Sequence, residues 1–326
     1  MIRIGIYGYG NLGKACERAV KNNPDMKLTA IFTRRDVTKI KPETEGVKVI
    51  NSYDVMNAIN IVDVMINCGG SATDLPHTTA FLARHFNIVD SFDNHSKVNE
   101  HFKNVDFSAK ESGNVALICG GWDPGLFSVM RTFFSSFLPC GNVSTFWGEG
   151  ISQGHSEAIR HIHGVKDARQ YTVPDEAALE KARTGEIGNA KPQQMHKRVC
   201  YVSLDENAYK DEVEEQIKNI PDYFLGYDTQ VNFVSDEELK KEHSRLYHGG
   251  YVISNGLTGN EENRALMEMK LKLDSNPEFT AGVLTAYARA VFRAACRSER
   301  GCLTVLDVAP ADLSPLDKDE LRKNII

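Results

Sequence analysis

Through the first third of the chain, short apolar runs alternate with stretches of helical periodicity. Residues 2–7, 28–33 and 62–67 read as strands, with a helix over 12–20 between the first two. Further strands are expected at 87–90 and 115–119, and further helices over 71–85 and 98–111. These strands are apolar runs rather than alternating ones, as a mostly parallel sheet covered by helices on both faces requires.

The pattern changes after Pro124. Polar and aromatic loops such as 145–153 appear, and an acidic helical run covers 206–217. The clearest strand of this half is 265–273, where Ala265, Met267, Met269, Leu271 and Leu273 alternate with Leu266, Glu268, Lys270 and Lys272. A period of two with most charges on one side predicts a half-exposed antiparallel sheet. The Ala-rich segment 277–297, carrying Phe279, Val283, Leu284 and Val291, predicts a long buried helix that returns to the first domain. The charged stretch 317–323 reads as a solvated helix end.

Composition acts mainly by exclusion. A length of 326 residues suits roughly two domains with ample core. With 38 basic and 44 acidic side chains the formal charge is -6, so nothing in the electrostatics calls for nucleic acid or an anionic membrane as partner. No run of 18 apolar residues and no signal-peptide pattern is present. The seven cysteines, Cys16, Cys68, Cys119, Cys140, Cys200, Cys296 and Cys302, are scattered without a C-x-x-C spacing. They imply buried thiols in a reducing, cytoplasmic compartment. In that setting the sequons at Asn94 and Asn142 are chance matches.

Candidate chemistry starts at Gly8-Tyr9-Gly10-Asn11-Leu12-Gly13, which ends the first strand and opens the first helix. Gly8 permits the tight turn, Gly10 lets a pyrophosphate approach the helix N-terminus, and Gly13 allows helix and sheet to pack closely. The order strand, glycine turn, helix, strand makes this a dinucleotide site. At the end of the second strand, where an acid would take the ribose hydroxyls, the chain reads Phe32-Thr33-Arg34-Arg35-Asp36. Two guanidinium groups suit a 2′-phosphate and therefore NADP. The alternative is that both arginines are surface charges and Asp36 turns back to bind NAD.

Later strand ends carry Cys68-Gly69-Gly70-Ser71, Ser91-Phe92-Asp93 and Gly120-Gly121-Trp122-Asp123-Pro124. Carboxyl ends of strands face the ligand crevice in an open parallel sheet. Asp93 and Asp123 then stand at the edge of a nicotinamide pocket, where they can bind an amine or move its proton; solvent-exposed loop aspartates would look the same. In the second half, Gly154-His155-Ser156-Glu157-Ala158 departs from a hydrolase elbow at its last position. His155, His161 and His163 lack a metal-binding spacing, so no metal is expected. His196-Lys197-Arg198 and His248-Gly249-Gly250 are candidates for presenting cations to a carboxylate, or form an ordinary basic rim.

Together these motifs resemble the meso-diaminopimelate D-dehydrogenase family over nearly the whole chain. The resemblance runs through the glycine motif and residues 32–35, 70–74, 92–95 and 121–125, and continues at 145–148, 152–156, 170–172, 196–198, 248–250 and 271–277. It implies an α/β Rossmann-type parallel-sheet domain followed by an α+β substrate-binding and dimerisation domain. The first spans 1–123 and is completed by part of 277–326; the second spans 124–276. The implied reaction is NADP-dependent, reversible oxidative deamination of meso-2,6-diaminopimelate at its D-centre, giving L-2-amino-6-oxopimelate and ammonium. By the same resemblance Tyr9 to Gly13, Thr33 to Arg35, Cys68 to Ser71, Ser91 to Asp93 and Gly120 to Pro124 serve the cofactor. Asp93 and Asp123 contact the reacting amino group, while Trp147, Gln153 and Gly154 shape the reacting end. Thr172, Arg198, His248 and Asn276 engage the distal amino acid, and a homodimer is implied. Two other readings compete, a related imine reductase and an NADP-sensing regulator that does no chemistry.

Overall fold

The computed structural model describes residues 1–326, which divide into two compact units. The first comprises residues 1–129 and 277–326, the second residues 130–276. In chain order the strands of the first unit are β1 (Ile2–Tyr7), β2 (Met26–Thr33), β3 (Lys48–Asn51), β4 (Val64–Asn67), β5 (Asn87–Asp90) and β6 (Val115–Leu117). The second unit contributes β7 (Asn142–Trp147), β8 (Gly150–Ile151), β9 (Val165–Pro174), β10 (His196–Leu204), β11 (Asp228–Phe233), β12 (His248–Thr258) and β13 (Asn263–Leu273). The chain then supplies β14 (Gly301–Leu303) to the first.

The first unit is a seven-stranded sheet in the order β14-β6-β5-β4-β1-β2-β3, and every neighbouring pair is parallel. This is the Rossmann order with one strand added, and its direction reverses between β1 and β4, the place where such sheets take their ligands. Burial on both faces explains the apolar runs: Ile4, Ile6, Val64 and Ile66 are buried on one side, with Phe32, Met65 and Ile88 on the other. The helix Asn276–Cys296 buries Ala281, Leu284, Ala288 and Val291 against the first of these clusters. Those positions recur at i, i+3, i+7 and i+10, one stripe of a helix. The expected helix over 71–85 begins only at Leu75. Residues 70–74 form a turn in which the Gly70 carbonyl accepts from the Asp74 and Leu75 N–H groups. Pro76 then fits the first helical turn, where it has no intrahelical bond to lose.

The second unit holds a mixed four-stranded sheet, β11-β10-β9-β8, and an antiparallel three-stranded sheet, β13-β12-β7. In β13 the alternation expected from the sequence is present: Ala265, Met267, Met269 and Leu271 are half-buried and the residues between them exposed. The segment 145–153, expected as loop, is instead the end of β7, the short β8 and the start of the helix Gln153–Arg160. Only Phe146 of β7 is fully buried, so the strand carries almost no apolar signal and is fixed by pairing with β12, Trp147 opposite Gly250 and Thr145 opposite Val252. Phe146 and Ile253 pack with Leu179 and Ala182 of the helix Glu176–Thr184, while Ile159, Cys200, Val202, Ile217 and Phe224 form a separate core around β10.

Candidate functional site

In the first unit, the glycine turn has the geometry its sequence demands. Gly8 has φ +92°, a backbone region closed to most side chains, and a Cβ on Gly13 would lie 2.1 Å from the Gly8 carbonyl oxygen. A Cβ on Gly10 would meet nothing within 4 Å, so space is open before the helix Asn11–Lys21. No side chain caps that N-terminus, and no acid occupies its first turn. The result is a row of backbone donors at the positive end of a helix, ready for a phosphate. Leu12 packs against the core behind the turn, and Tyr9 donates its hydroxyl to the buried Glu17 carboxylate.

Beside the turn is a small cavity of about 50 Å³ bordered by Gly8, Thr33, Arg34, Gly69 and Asp74, among others. Arg35 donates to the Tyr9 carbonyl, and the Arg34 guanidinium pairs with Asp74 at 3.0 and 3.3 Å. The Thr33 hydroxyl accepts from the Arg35 N–H. Asp36 is committed locally: its carboxylate accepts from the Thr38 N–H and hydroxyl, contacts that lower its pKa and cap a short 3-10 turn. The positively charged groups at this strand end are therefore the arginines, and the acid that could have served a ribose diol is spent on its own turn. These features fit a dinucleotide carrying an extra phosphate.

The remaining loops lie at the ends of β4, β5 and β6. Cys68 stands with its sulfur 3.6 Å from that of Cys16, and Gly70 N–H donates to Asp74. The Ser71 hydroxyl accepts from the Asp93 N–H at 2.9 Å, which joins the first two loops. A Cβ on Gly121 would come 3.8 Å from that of Ser91, and the Gly120 N–H donates to the Asp90 carbonyl, which joins the second and third. Asp93 is exposed and Asp123 half-buried, while Phe92, Trp122 and Pro124 are buried beneath them.

The second unit gathers another set. Arg198 on β10 sits opposite Thr172 on β9 and donates to its hydroxyl at 2.6 Å. The guanidinium carbon lies 4.0 Å from the centre of the Tyr227 ring. Arg198 is buried with no carboxylate beside it, its Nε finds no acceptor, and burial lowers its pKa. Gln170, one pleat along the same face, donates to Thr172 and leaves its own carbonyl oxygen without a donor. A buried cation and a buried acceptor left unmet in a folded core are costly unless a ligand completes them. The set fits one carboxylate and one amino group.

Around this pair burial disfavours the charged form of the histidines. His155 is held against Tyr223 and Phe224, and burial together with the Arg198 charge lowers its pKa to about 3. His196 accepts from the Trp147 N–H on Nε2, and burial lowers its pKa to about 4. Its ring also stacks on Trp147, so the first of the expected basic groups is a prop for that indole rather than a cation. Burial lowers the pKa of His248 too. It packs against Gly150, where a Cβ would collide at 2.5 Å, and borders an open groove of about 680 Å³ that also touches Gly148, Lys270 and Asp274. Gln153 and Gly154 are exposed at the start of their helix, and Asn276 is tied through its N–H to the Leu246 carbonyl.

Tyr227 and Gln170 were not among the expected site residues. Tyr227 precedes β11, and only the register of β11 on β10 carries it over Arg198; no local motif announces it. Gln170 could have been found, because it lies two residues before Thr172 in a strand and therefore shares its face.

The chain is similar to known proteins over its whole length. Residues 121–275 match the family model described as the diaminopimelic acid dehydrogenase C-terminal domain. The chain is 52% identical over 326 residues to the meso-diaminopimelate D-dehydrogenase of Acetivibrio thermocellus, covering 100% of this chain and 98% of that one. It superposes on the solved Corynebacterium glutamicum DAP dehydrogenase in complex with DAP with a TM-score of 0.91, 43% identity and coverage of 100% and 99%. An engineered D-amino acid dehydrogenase bound to NADP+ is similar as well, with a TM-score of 0.87, 42% identity and the same coverage.

Proposed function

The chain belongs to the meso-diaminopimelate D-dehydrogenase family, and from that premise we propose that it oxidatively deaminates meso-2,6-diaminopimelate at the D-centre with NADP. The products are L-2-amino-6-oxopimelate, ammonium and reduced cofactor. The observation that carries the distal half of this reading is Arg198, a buried guanidinium with no protein carboxylate, held only by the Thr172 hydroxyl and by Tyr227. It is built to receive a carboxylate from outside the chain.

NADP supplies the hydride acceptor. When bound, its pyrophosphate would be held by the N–H groups at Gly10 to Gly13, and its 2′-phosphate by Arg34 and Arg35. Cys68 to Ser71, Ser91 to Asp93 and Gly120 to Pro124 border the rest. Deamination requires the substrate ammonium to shed a proton as its carbon is oxidised, and Asp93 and Asp123 are the carboxylates that orient it and take that proton. Water then adds to the imine carbon and ammonium leaves. Trp147, braced by His196, with Gln153 and Gly154, shapes the reacting end. Arg198 holds the distal carboxylate, and Thr172, His248 and Asn276 complete that end. Fixing both ends of a substrate with two stereocentres presents only the D-carbon for reaction.

A second copy of this chain is the partner in this reading. Support comes from β13, an edge strand that offers Ala265, Met267, Met269 and Leu271 half-exposed on one face. Such a pair has twice the 36.3 kDa chain mass in solution. No helix is long and apolar enough to cross a membrane, and the cytoplasm suits the seven unpaired thiols. The sensor and imine-reductase readings draw no support from the family match.

The test follows absorbance at 340 nm with purified protein, NADP and meso-diaminopimelate, with the L,L isomer and NAD as controls. The expected result is a signal specific to the meso isomer and NADP that falls about a hundredfold or more in Asp123→Asn. A folded, NADP-binding protein that gives no signal would overturn the assignment.

A further inference from the structure

Beneath the two aspartate loops lies a polar network that none of the chemistry above uses. Asp90 ends β5 with its side chain fully buried, and its carboxylate has donors on both oxygens. One oxygen accepts from the Phe92 N–H at 3.0 Å and the Cys119 N–H at 3.2 Å. The other accepts from the Thr79 hydroxyl at 2.8 Å and His101 Nε2 at 2.7 Å. Phe92 immediately precedes Asp93, and Cys119 opens the loop that carries Asp123 with a left-handed φ of 61°. Thr79 in turn accepts from Asn67, whose side-chain oxygen takes the Gly69 N–H at 3.3 Å. The His101 ring stacks on Phe92 with centroids 4.2 Å apart. One buried carboxylate thus ties the loops after β5 and β6 directly, and the loop after β4 through Thr79 and Asn67.

We infer that Asp90 is a positioning residue for the deamination, with His101 and Thr79 as its supports, and that it sets Asp93 and Asp123 relative to each other. A carboxylate can satisfy four donors at once, which an amide cannot, because one of its two ends is itself a donor. Substituting Asp90→Asn therefore either frees one of the four donors or forces Thr79 and His101 to turn into acceptors, His101 by moving its ring proton to Nδ1, which is buried without a partner. Misplacing reacting groups by an ångström costs about a hundredfold in rate, whereas the groups proposed for the cofactor's phosphates, the glycine turn and the two arginines, lie on other elements, so a shift of the tied loops touches only the part of the cofactor they border. The inference rests on the proposed roles of Asp93 and Asp123.

The experiment compares wild type, Asp93→Asn, Asp123→Asn and Asp90→Asn in four readouts: thermal unfolding, NADPH binding by fluorescence, kcat and KM for meso-diaminopimelate, and the primary isotope effect with substrate deuterated at the D-carbon. For Asp90→Asn the expected result is kcat lower by about ten- to a hundredfold, a larger isotope effect, KM for meso-diaminopimelate within about threefold, and a loss of NADPH affinity much smaller than the loss of kcat, since the tied loops also border the cofactor while the glycine turn and the arginines are untouched. A role confined to stability predicts otherwise: a folded variant with kcat and isotope effect within twofold of wild type overturns the inference, as does a loss of kcat matched by an equal loss of NADPH binding. If Asp90→Asn does not fold, Thr79→Val removes one donor while keeping the shape, and the same readouts decide, with a few-fold fall in kcat expected and none contradicting. An inactive wild type defeats the functional reading itself, and active Asp93→Asn and Asp123→Asn variants defeat the site assignment, so neither failure is confused with failure of the positioning role.

Discussion

Each unit buries one arginine that would be costly in isolation, and the two are treated in opposite ways. Arg289, on the long helix of the first unit, is 1% exposed. Its guanidinium meets both oxygens of Asp25 at 2.6 and 2.7 Å, the Asn23 side chain and the Leu313 carbonyl. The pairing lowers the pKa of Asp25 and fastens helix Asn276–Cys296 to the turn before β2. Arg198, in the second unit, is 7% exposed and has a hydroxyl, an aromatic face and an unmet Nε. The difference teaches how to separate a structural buried charge from a functional one: the first is neutralised by the chain, the second awaits a counter-ion from a ligand.

That comparison breaks most readily at Arg289. Replacing Arg289→Met leaves Asp25 partly buried without its partner and is expected to cost about 3 kcal/mol of stability, read as a lower midpoint in urea unfolding, with KM for the diamino acid unchanged. Next in size is the nucleotide end. The double change Arg34→Ala and Arg35→Ala is expected to cut the preference for NADP over NAD by about tenfold, measured as the ratio of kcat/KM for the two cofactors, while stability holds. Smaller again is Tyr227→Leu, which removes the ring over Arg198 and is expected to raise KM by about fivefold, the size of a cation–π contact of about 1 kcal/mol.

The smallest effect concerns pH. Burial holds His155 near 3 and His196 near 4, below the ordinary imidazole value. The unfolded chain therefore takes up protons first, so their contribution is fully present above about pH 6.5 and is lost as pH falls toward 4 and 3. Thermal midpoints should decline across that window, and His155→Phe, which keeps the contacts with Tyr223 and Phe224, should make the decline shallower. A decline on raising pH through the same window would have the wrong sign.

The contrast between the units also governs what could be read from the sequence. The nucleotide side is local: Gly8 to Gly13 and Arg34 to Asp36 each lie within six consecutive residues, so spacing alone states their geometry. The distal side is not. Arg198, Thr172 and Tyr227 meet through the register of β9, β10 and β11, which no single stretch encodes. Resemblance to a family supplied Arg198 and Thr172, but not the ring above them. The strand β7 was missed for the same reason, since its polar residues are held by β12 and not by any periodicity of their own. The strand β13, by contrast, carries its alternation in the chain and was legible to within two residues.

The most direct test of the account is the kinetic and thermal behaviour of Arg198→Met measured on one preparation. The account predicts that KM for meso-diaminopimelate rises about a hundredfold, that NADPH affinity is unchanged, and that the unfolding midpoint stays level or rises, because an unpaired buried charge has been removed. An Arg198→Met protein that unfolds as readily as Arg289→Met, with KM unaltered, would mean that Arg198 is a structural group and that the substrate carboxylate is held elsewhere.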